Sequence, residues 1–370
     1  MKPIRILSSL AAVAVAGCAQ PAASTAAAPL SPVAVARTAA QNVTEANVRT
    51  ELSVLAADSM EGRFTASPGG ARAARYIAEQ MKAAGLRPAG DSGYFQRVPV
   101  SLGNNSVPRS LDSFAALDTV PVARRGLAVN VVGILPGELS DSAVVVDAHY
   151  DHLGKVGLGT CRARGADSIC NGADDDGSGS VAVMQIAKAM AAAPKPHRTI
   201  VFVATTGEEV GLIGTRWYIA HPAVPLDHMT ANLEIEMIDR PDSLAGGPGR
   251  AWLTGYDRSS MGDMFAIAGL PIVADKRLCE GFFERSDNIA FARAGIPAHT
   301  LSTFDLHADY HRADDDMNLA NIPHMTAVIR AAVAAVDLLA NGPVPHWYDG
   351  RRPPASGRIA VEGCPARRGQ

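Results

Sequence analysis

No run of lysine and arginine with interleaved aromatics occurs anywhere in the 370 residues, and the formal charge is only −3. The electrostatic footprint of a nucleic-acid binder is therefore missing, and no polyanionic partner is implied. There is no C-x-x-C pair, so a cysteine-based zinc site has no spacing to support it. No internal repeat is visible. The apolar stretch over residues 6–16 is too short to span a bilayer as a mature helix. What is present is an ordinary globular balance, 47% hydrophobic and 19% charged, which supplies a large core and argues against disorder. Length alone would allow two domains, but α/β folds on large sheets often reach this size as one unit, and one domain is expected.

Lys2 and Arg5 precede the apolar stretch, in the order of an export signal. Its end, Val15-Ala16-Gly17-Cys18, resembles the lipobox of bacterial lipoproteins, which implies cleavage before Cys18 and lipid on that cysteine. The other reading is an ordinary signal peptide cut at a small residue within 19–23. Either way the chain is expected to be exported. The lipobox reading makes residues 1–18 the signal peptide of a periplasmic protein anchored to the outer membrane, touching membrane only through Cys18. Four cysteines then remain, an even number in an oxidising compartment. Cys161 and Cys170 bracket a short polar loop and can close it locally, which leaves Cys279 and Cys364 as a second pair.

Residues 19–42, rich in Ala and Pro and almost uncharged, read as a tether that cannot bury a core. The folded domain is expected over 43–340. The tail 341–370, rich in Pro, Gly and Arg, is expected on the surface or held only by Cys364. Thr44 can cap a helix with Val48, Leu52 and Leu55 on one face. A second helix carries Ala74, Ile77, Ala78 and Met81 and ends at Gly85. Beyond these, short apolar runs at 131–135, 143–148, 200–204, 232–238 and 298–302 alternate with helical stretches at 178–193, 212–221, 259–268 and 287–294, before a long helix over 323–340. That alternation predicts an α/β fold with a mixed, largely parallel sheet covered by helices on both faces. Residues 101–125 read as a hairpin or edge excursion.

Nearly every cluster of His and acidic residues falls at the C-terminal end of an expected strand, where open α/β sheets place their ligand crevice. The first is Asp147-Ala148-His149-Tyr150-Asp151-His152, in which His149 is a candidate metal ligand and Asp151 a partner for its other ring nitrogen. Asp174-Asp175-Asp176 precedes a helix; three consecutive carboxylates repel one another unless something positive sits among them. Glu208-Glu209 follows a strand, and adjacent side chains diverge, so one can bind metal while the other moves a proton. Glu234 and Glu236 share one face of a strand, and a glutamate in an apolar strand is costly unless paired or bound to metal. The last cluster surrounds Tyr310 and His311, with His307 also available.

The order of these elements resembles the M28 family of zinc aminopeptidases. That family has a His-x-Asp element, a Gly-Ala-Asp-Asp-x-Gly-Ser-Gly loop, Thr-Gly-Glu-Glu-x-Gly-Leu, an acidic strand and a late Tyr-His. Ser286-Asp287 and Gly295-Ile296-Pro297 also look like family elements, with Asn288 where the family has histidine. The resemblance spans roughly residues 43–340 and implies a zinc-dependent exopeptidase fold with two Zn2+. By position, His149 and Glu236 would hold one zinc, Glu209 and His311 the other, and Asp175, the middle acid, would bridge them. Glu208 would be the general base, Asp151 the residue orienting His149, and Tyr310 a donor to the developing oxyanion. The best-known members carry aspartate where this chain has Glu236, so Asp239 is kept as a fallback ligand.

The implied substrates are peptides or proteins, trimmed from an end. Glutaminyl cyclases, which share the fold and work with one zinc, are the rival enzyme reading. A lipoprotein that merely binds peptides is the non-enzyme reading.

Overall fold

The computed structural model describes residues 38–361 and Cys364. The expected lipobox and nearly all of the expected tether lie outside the described residues. The described part begins with two amphipathic helices. Helix α1 (Glu45–Leu55) starts where the Thr44 hydroxyl accepts the Asn47 N–H at 3.2 Å, and it buries Val48, Leu52 and Leu55. Helix α2 (Pro68–Ala83) starts at Ser67, with proline in its first turn, and buries Ala74, Ile77, Ala78 and Met81.

The strands follow: β1 (Arg87–Pro88), β2 (Phe95–Leu102), β3 (Pro108–Ser110), β4 (Arg125–Leu135) and β5 (Leu139–His149). Three very short strands, β6 (Gly154–Lys155), β7 (Leu158–Gly159) and β8 (Ile169–Cys170), form a separate small sheet. Then α3 (Gly179–Ala191), β9 (Arg198–Thr205), α4 (Ile213–Ala220), β10 (Met229–Ile235), β11 (Ala251–Leu253), α5 (Met261–Ile267), β12 (Ile272–Ala274), α6 (Asn288–Ala294), β13 (Ala298–Ser302) and α7 (Ile322–Asn341) complete the described elements.

The main sheet has ten strands in the order β12-β11-β13-β10-β5-β9-β4-β2-β3, with β1 on β4. Its centre, β13-β10-β5-β9, is parallel, and β4 and β2 extend it antiparallel. Alternation explains why the central runs are continuously apolar. Val144 and Val146 of β5 face α1, α2, α3 and α7, whereas Val145 faces α4 and α6 on the other side. Each such fully buried valine contributes roughly 1.5–3 kcal/mol of transfer free energy. Helix α7 is long and apolar enough to cross a membrane, but 72% of that window is buried in this core, and the core accounts for its composition.

The expected strands and helices appear, and the irregular 101–125 segment supplies the turn and second strand of the β2–β3 hairpin at the sheet edge. Short β11 and β12 had no sequence signal. The strand expected over 232–238 stops at Ile235, because Met237 turns into the left-handed region at φ 48° and its N–H goes to Asp176 Oδ1 at 3.1 Å. Packing begins slightly before residue 43, since Ala39 and Ala40 are 5% and 7% exposed. The tail is tied by more than its cysteine. Trp347 Nε1 donates to Gly295 O at 2.9 Å, and Ile359 N–H reaches Glu284 at 3.1 Å. Both disulfides, Cys161–Cys170 and Cys279–Cys364, are formed.

Candidate metal centre

Because β5, β9 and β10 are parallel, their C-terminal ends reach the same edge, bringing together His149, the Glu208-Glu209 turn and Glu236 just past β10. The Asp175 loop, between β8 and α3, is set beside them by Arg63, a fully buried residue from the segment joining α1 and α2. The Arg63 guanidinium donates to Tyr150 O at 2.7 Å, Leu55 O at 2.8 Å and Gly172 O at 2.7 Å. At Gly172, φ is +59°, and a Cβ there would come within 2.2 Å of Asp175 O and 2.5 Å of the His152 ring. Only glycine fits so close an approach.

Asp175 is the hub. Its Oδ1 lies 3.3 Å from His149 Nε2, while Oδ2 lies 3.1 Å from His311 Nε2 and 3.8 Å from His152 Nδ1. Glu236 Oε1 is 3.9 Å from His149 Nε2; Glu209 presents Oε2 to His311 at 3.2 Å and Oε1 to His152 at 2.8 Å. Two sets of donors thus share one carboxylate: His149, Asp175 and Glu236, and His152, Asp175 and Glu209. Donors about 2.0–2.1 Å from a tetrahedral cation stand roughly 3.3 Å apart, close to several of these separations. Despite these short separations, His149 Nε2 and Glu209 Oε1 are buried without a well-aligned hydrogen bond, which is costly for polar atoms unless a cation satisfies them. The residues present therefore fit zinc. Burial pulls the His311 ring towards neutrality, but Asp175 and Glu209 outweigh it and push its pKa up to about 10.

The three consecutive aspartates have three different tasks. Asp174 accepts from Ser178 Oγ and from Asp239 N–H at 2.9 Å, and pairs with His307 Nε2 at 2.9 Å. Asp176 Oδ1 caps α3 through Gly179 N–H at 2.9 Å. Only Asp175 faces the shared donors. Behind it, Asp315 accepts the N–H groups of Asp174 and Asp175 at 2.9 and 3.0 Å, and Arg240 ties Asp315 to Asp309 and Asp239.

The other expected residues divide as follows. Glu208 and Tyr310 line the same cavity as the donors, and the Tyr310 ring stacks on His311 at 3.9 Å. Asp151 meets His149 through its backbone. The ring Nδ1 bonds the Asp151 carbonyl at 3.1 Å, while the carboxylate stands 3.8 Å away because Thr65 Oγ1 and the Glu208 N–H occupy it at 2.7 and 3.2 Å. Burial raises the pKa of that carboxyl to about 6. Asp239 is turned to Arg240 Nε at 2.9 Å and is not in either donor set. Glu234 is not at the site either. It accepts from the N–H groups of Asp287 and Asn288 at 3.0 and 2.9 Å, holding the start of α6. The Asn288 amide donates to Phe283 O at 3.1 Å, closing the turn before that helix.

Sequence reasoning gave no role to His152, Arg63, Asp315 or Arg240. His152 was visible in the His-Tyr-Asp-His string. Arg63 and Asp315 act through backbone groups distant in sequence, and Arg240 through the carboxylates of Asp309 and Asp315 as well as its neighbour Asp239, links that no local pattern reveals.

A cavity of about 240 Å³ opens over the donors, with Trp252, Phe282 and Phe304 forming its aromatic wall.

Among curated proteins, the vacuolar membrane protease of Phaeosphaeria nodorum is 25% identical over 216 residues, 56% of this chain and 20% of that protein. The chain thus spans about a fifth of the length of that relative. Among solved structures, BSAP, a zinc aminopeptidase from Bacillus subtilis, superposes with TM-score 0.59 at 14% identity, covering 81% of this chain and 96% of that one. Porphyromonas gingivalis glutaminyl cyclase superposes with TM-score 0.57 at 12% identity, covering 80% and 98%. These two likenesses show the fold. The description "Peptidase family M28" matches residues 130–336, more than half of the chain and the stretch that contributes both donor sets. The chain belongs to peptidase family M28.

Proposed function

We propose that the protein is a two-zinc aminopeptidase, with His149 and Glu236 on one ion, Glu209 and His311 on the other, and Asp175 between them. The observation that carries the reading is that the two oxygens of Asp175 face different histidines, His149 and His311. Zinc held by these donors would supply a water acidified towards neutral pH and polarise the scissile carbonyl. Glu208, on the cavity wall and outside both donor sets, takes the proton at its carboxylate and hands it to the leaving amine. Tyr310, stacked on His311, offers its hydroxyl to the developing oxyanion. Asp151 fixes the tautomer of His149 through its carbonyl and pins the Glu208 backbone through its carboxylate.

The small cavity supports trimming from a chain end over cutting within a chain. The same reading assigns peptidase function to 43–340 and places the protein outside the cytoplasm, as a lipoprotein anchored at Cys18. Two disulfides support an oxidising compartment.

The test is elemental analysis together with hydrolysis of aminoacyl amides before and after chelation. Two zinc ions per chain and chelator-sensitive release of free amino acid are expected. One zinc per chain with cyclisation of amino-terminal glutamine would replace this reading with the cyclase one.

A further inference from the structure

Beyond the histidine of the donor group, Arg285 is the one basic side chain lining the cavity. It is exposed, and among the described residues it makes no ion pair. Its position is nevertheless fixed. Its N–H bonds Phe282 O at 3.0 Å, and its guanidinium lies 5.0 Å over the Phe282 ring, which is itself stacked on Trp252 at 5.2 Å. The next residues, Ser286 and Asp287, are clamped by the buried Glu234 carboxylate. A planar fork of donors is thus held at the rim of a cavity that Asp175, Glu209 and Glu236 also line, with Asp175 common to both donor sets.

Arginine stacked on an aromatic face is ordered before its ligand arrives, and its fork matches a carboxylate in two parallel hydrogen bonds. No acidic side chain of the described protein takes that position. We propose that Arg285 is the carboxylate-recognition residue of the cavity, selecting peptides with a carboxylate near the scissile bond. That group is either an acidic amino-terminal side chain or the free end of a dipeptide. The proposal rests on the peptidase reading and adds the substrate class to it.

The experiment compares the zinc-loaded wild type with R285Q and R285K on four substrates: leucine and glutamate reporter amides, the dipeptide Leu-Ala and its carboxamide. R285Q is expected to raise KM about ten- to a hundredfold for glutamate amide or for Leu-Ala, the loss typical of a charge-assisted hydrogen bond. KM for leucine amide and for the Leu-Ala carboxamide should move less than about twofold, and R285K should recover part of the loss. Which substrate responds identifies the source of the carboxylate. Equal effects on charged and neutral substrates, or none on either, overturn the proposal.

Calorimetric binding of free glutamate against glutamine gives a readout independent of turnover. A wild-type preference for glutamate that R285Q abolishes supports the anion site even if no peptide is cleaved, in which case only the peptidase reading fails. Absence of that preference, together with unchanged KM values for Leu-Ala, overturns the site itself.

Discussion

Adjacent residues take opposite duties in this site. Glu209 faces His152 and His311 with both oxygens, while Glu208 borders the cavity and is anchored through its backbone to Asp151. E208Q keeps the shape and removes the carboxylate proposed to move a proton, so it is expected to retain the wild-type metal content and lose about a hundred- to ten-thousandfold in kcat. Zinc content measured beside turnover checks this, and near-normal turnover removes Glu208 from the reaction. Away from the site, two buried histidines make stability sensitive to acid. Ser259 Oγ contacts His299 Nε2 at 2.6 Å and His299 Nδ1 donates to Thr254 O at 2.7 Å; His324 Nδ1 accepts the Gly249 N–H at 2.8 Å. Burial depresses both to about 4. The unfolded chain, with ordinary histidines near 6.5, binds these protons first, so stability is intact above about pH 6.5 and falls as pH drops towards 4. Urea midpoints at about pH 7.5 and 5 should differ markedly for the wild type and less for H299Q.

Elements set the site through loops that hold one another. Asp315 receives the N–H groups of Asp174 and Asp175, and so ties the segment carrying His311 to the loop carrying the shared carboxylate. D315A leaves two buried donors without an acceptor, each costing about 1–3 kcal/mol. Zinc affinity, measured by competition with a chromophoric chelator, is expected to fall about ten- to a hundredfold. Unchanged affinity would make Asp315 a packing residue only. The same elements show where legibility ends. Strands β5 and β9 were visible because they are buried on both faces, so the apolar runs at 143–146 and 200–204 are unbroken. The donors His149, Glu209 and Glu236 were visible because they follow such runs. Strands β11 and β12, three residues each, carry too little pattern to register. That His149 meets the carbonyl of Asp151 and not its carboxylate was not legible, because Thr65, which draws that carboxylate away, is 86 residues distant.

At the scale of the whole molecule, the bridge between Cys279 and Cys364 joins the segment before α6 to the tail across 85 residues. Closing a loop of that length restrains the unfolded chain by about 4–5 kcal/mol in the chain-entropy account. C279S/C364S is expected to melt well below the wild type by calorimetry yet to bind zinc normally, because neither donor set draws on the tail. The order in which the polypeptide is delivered gives that bridge a further meaning. Every histidine and carboxylate of the metal centre precedes Cys364, so the bridge closes around a pocket whose parts have all arrived. It acts as a latch on finished work, and the pocket has no need of it to assemble.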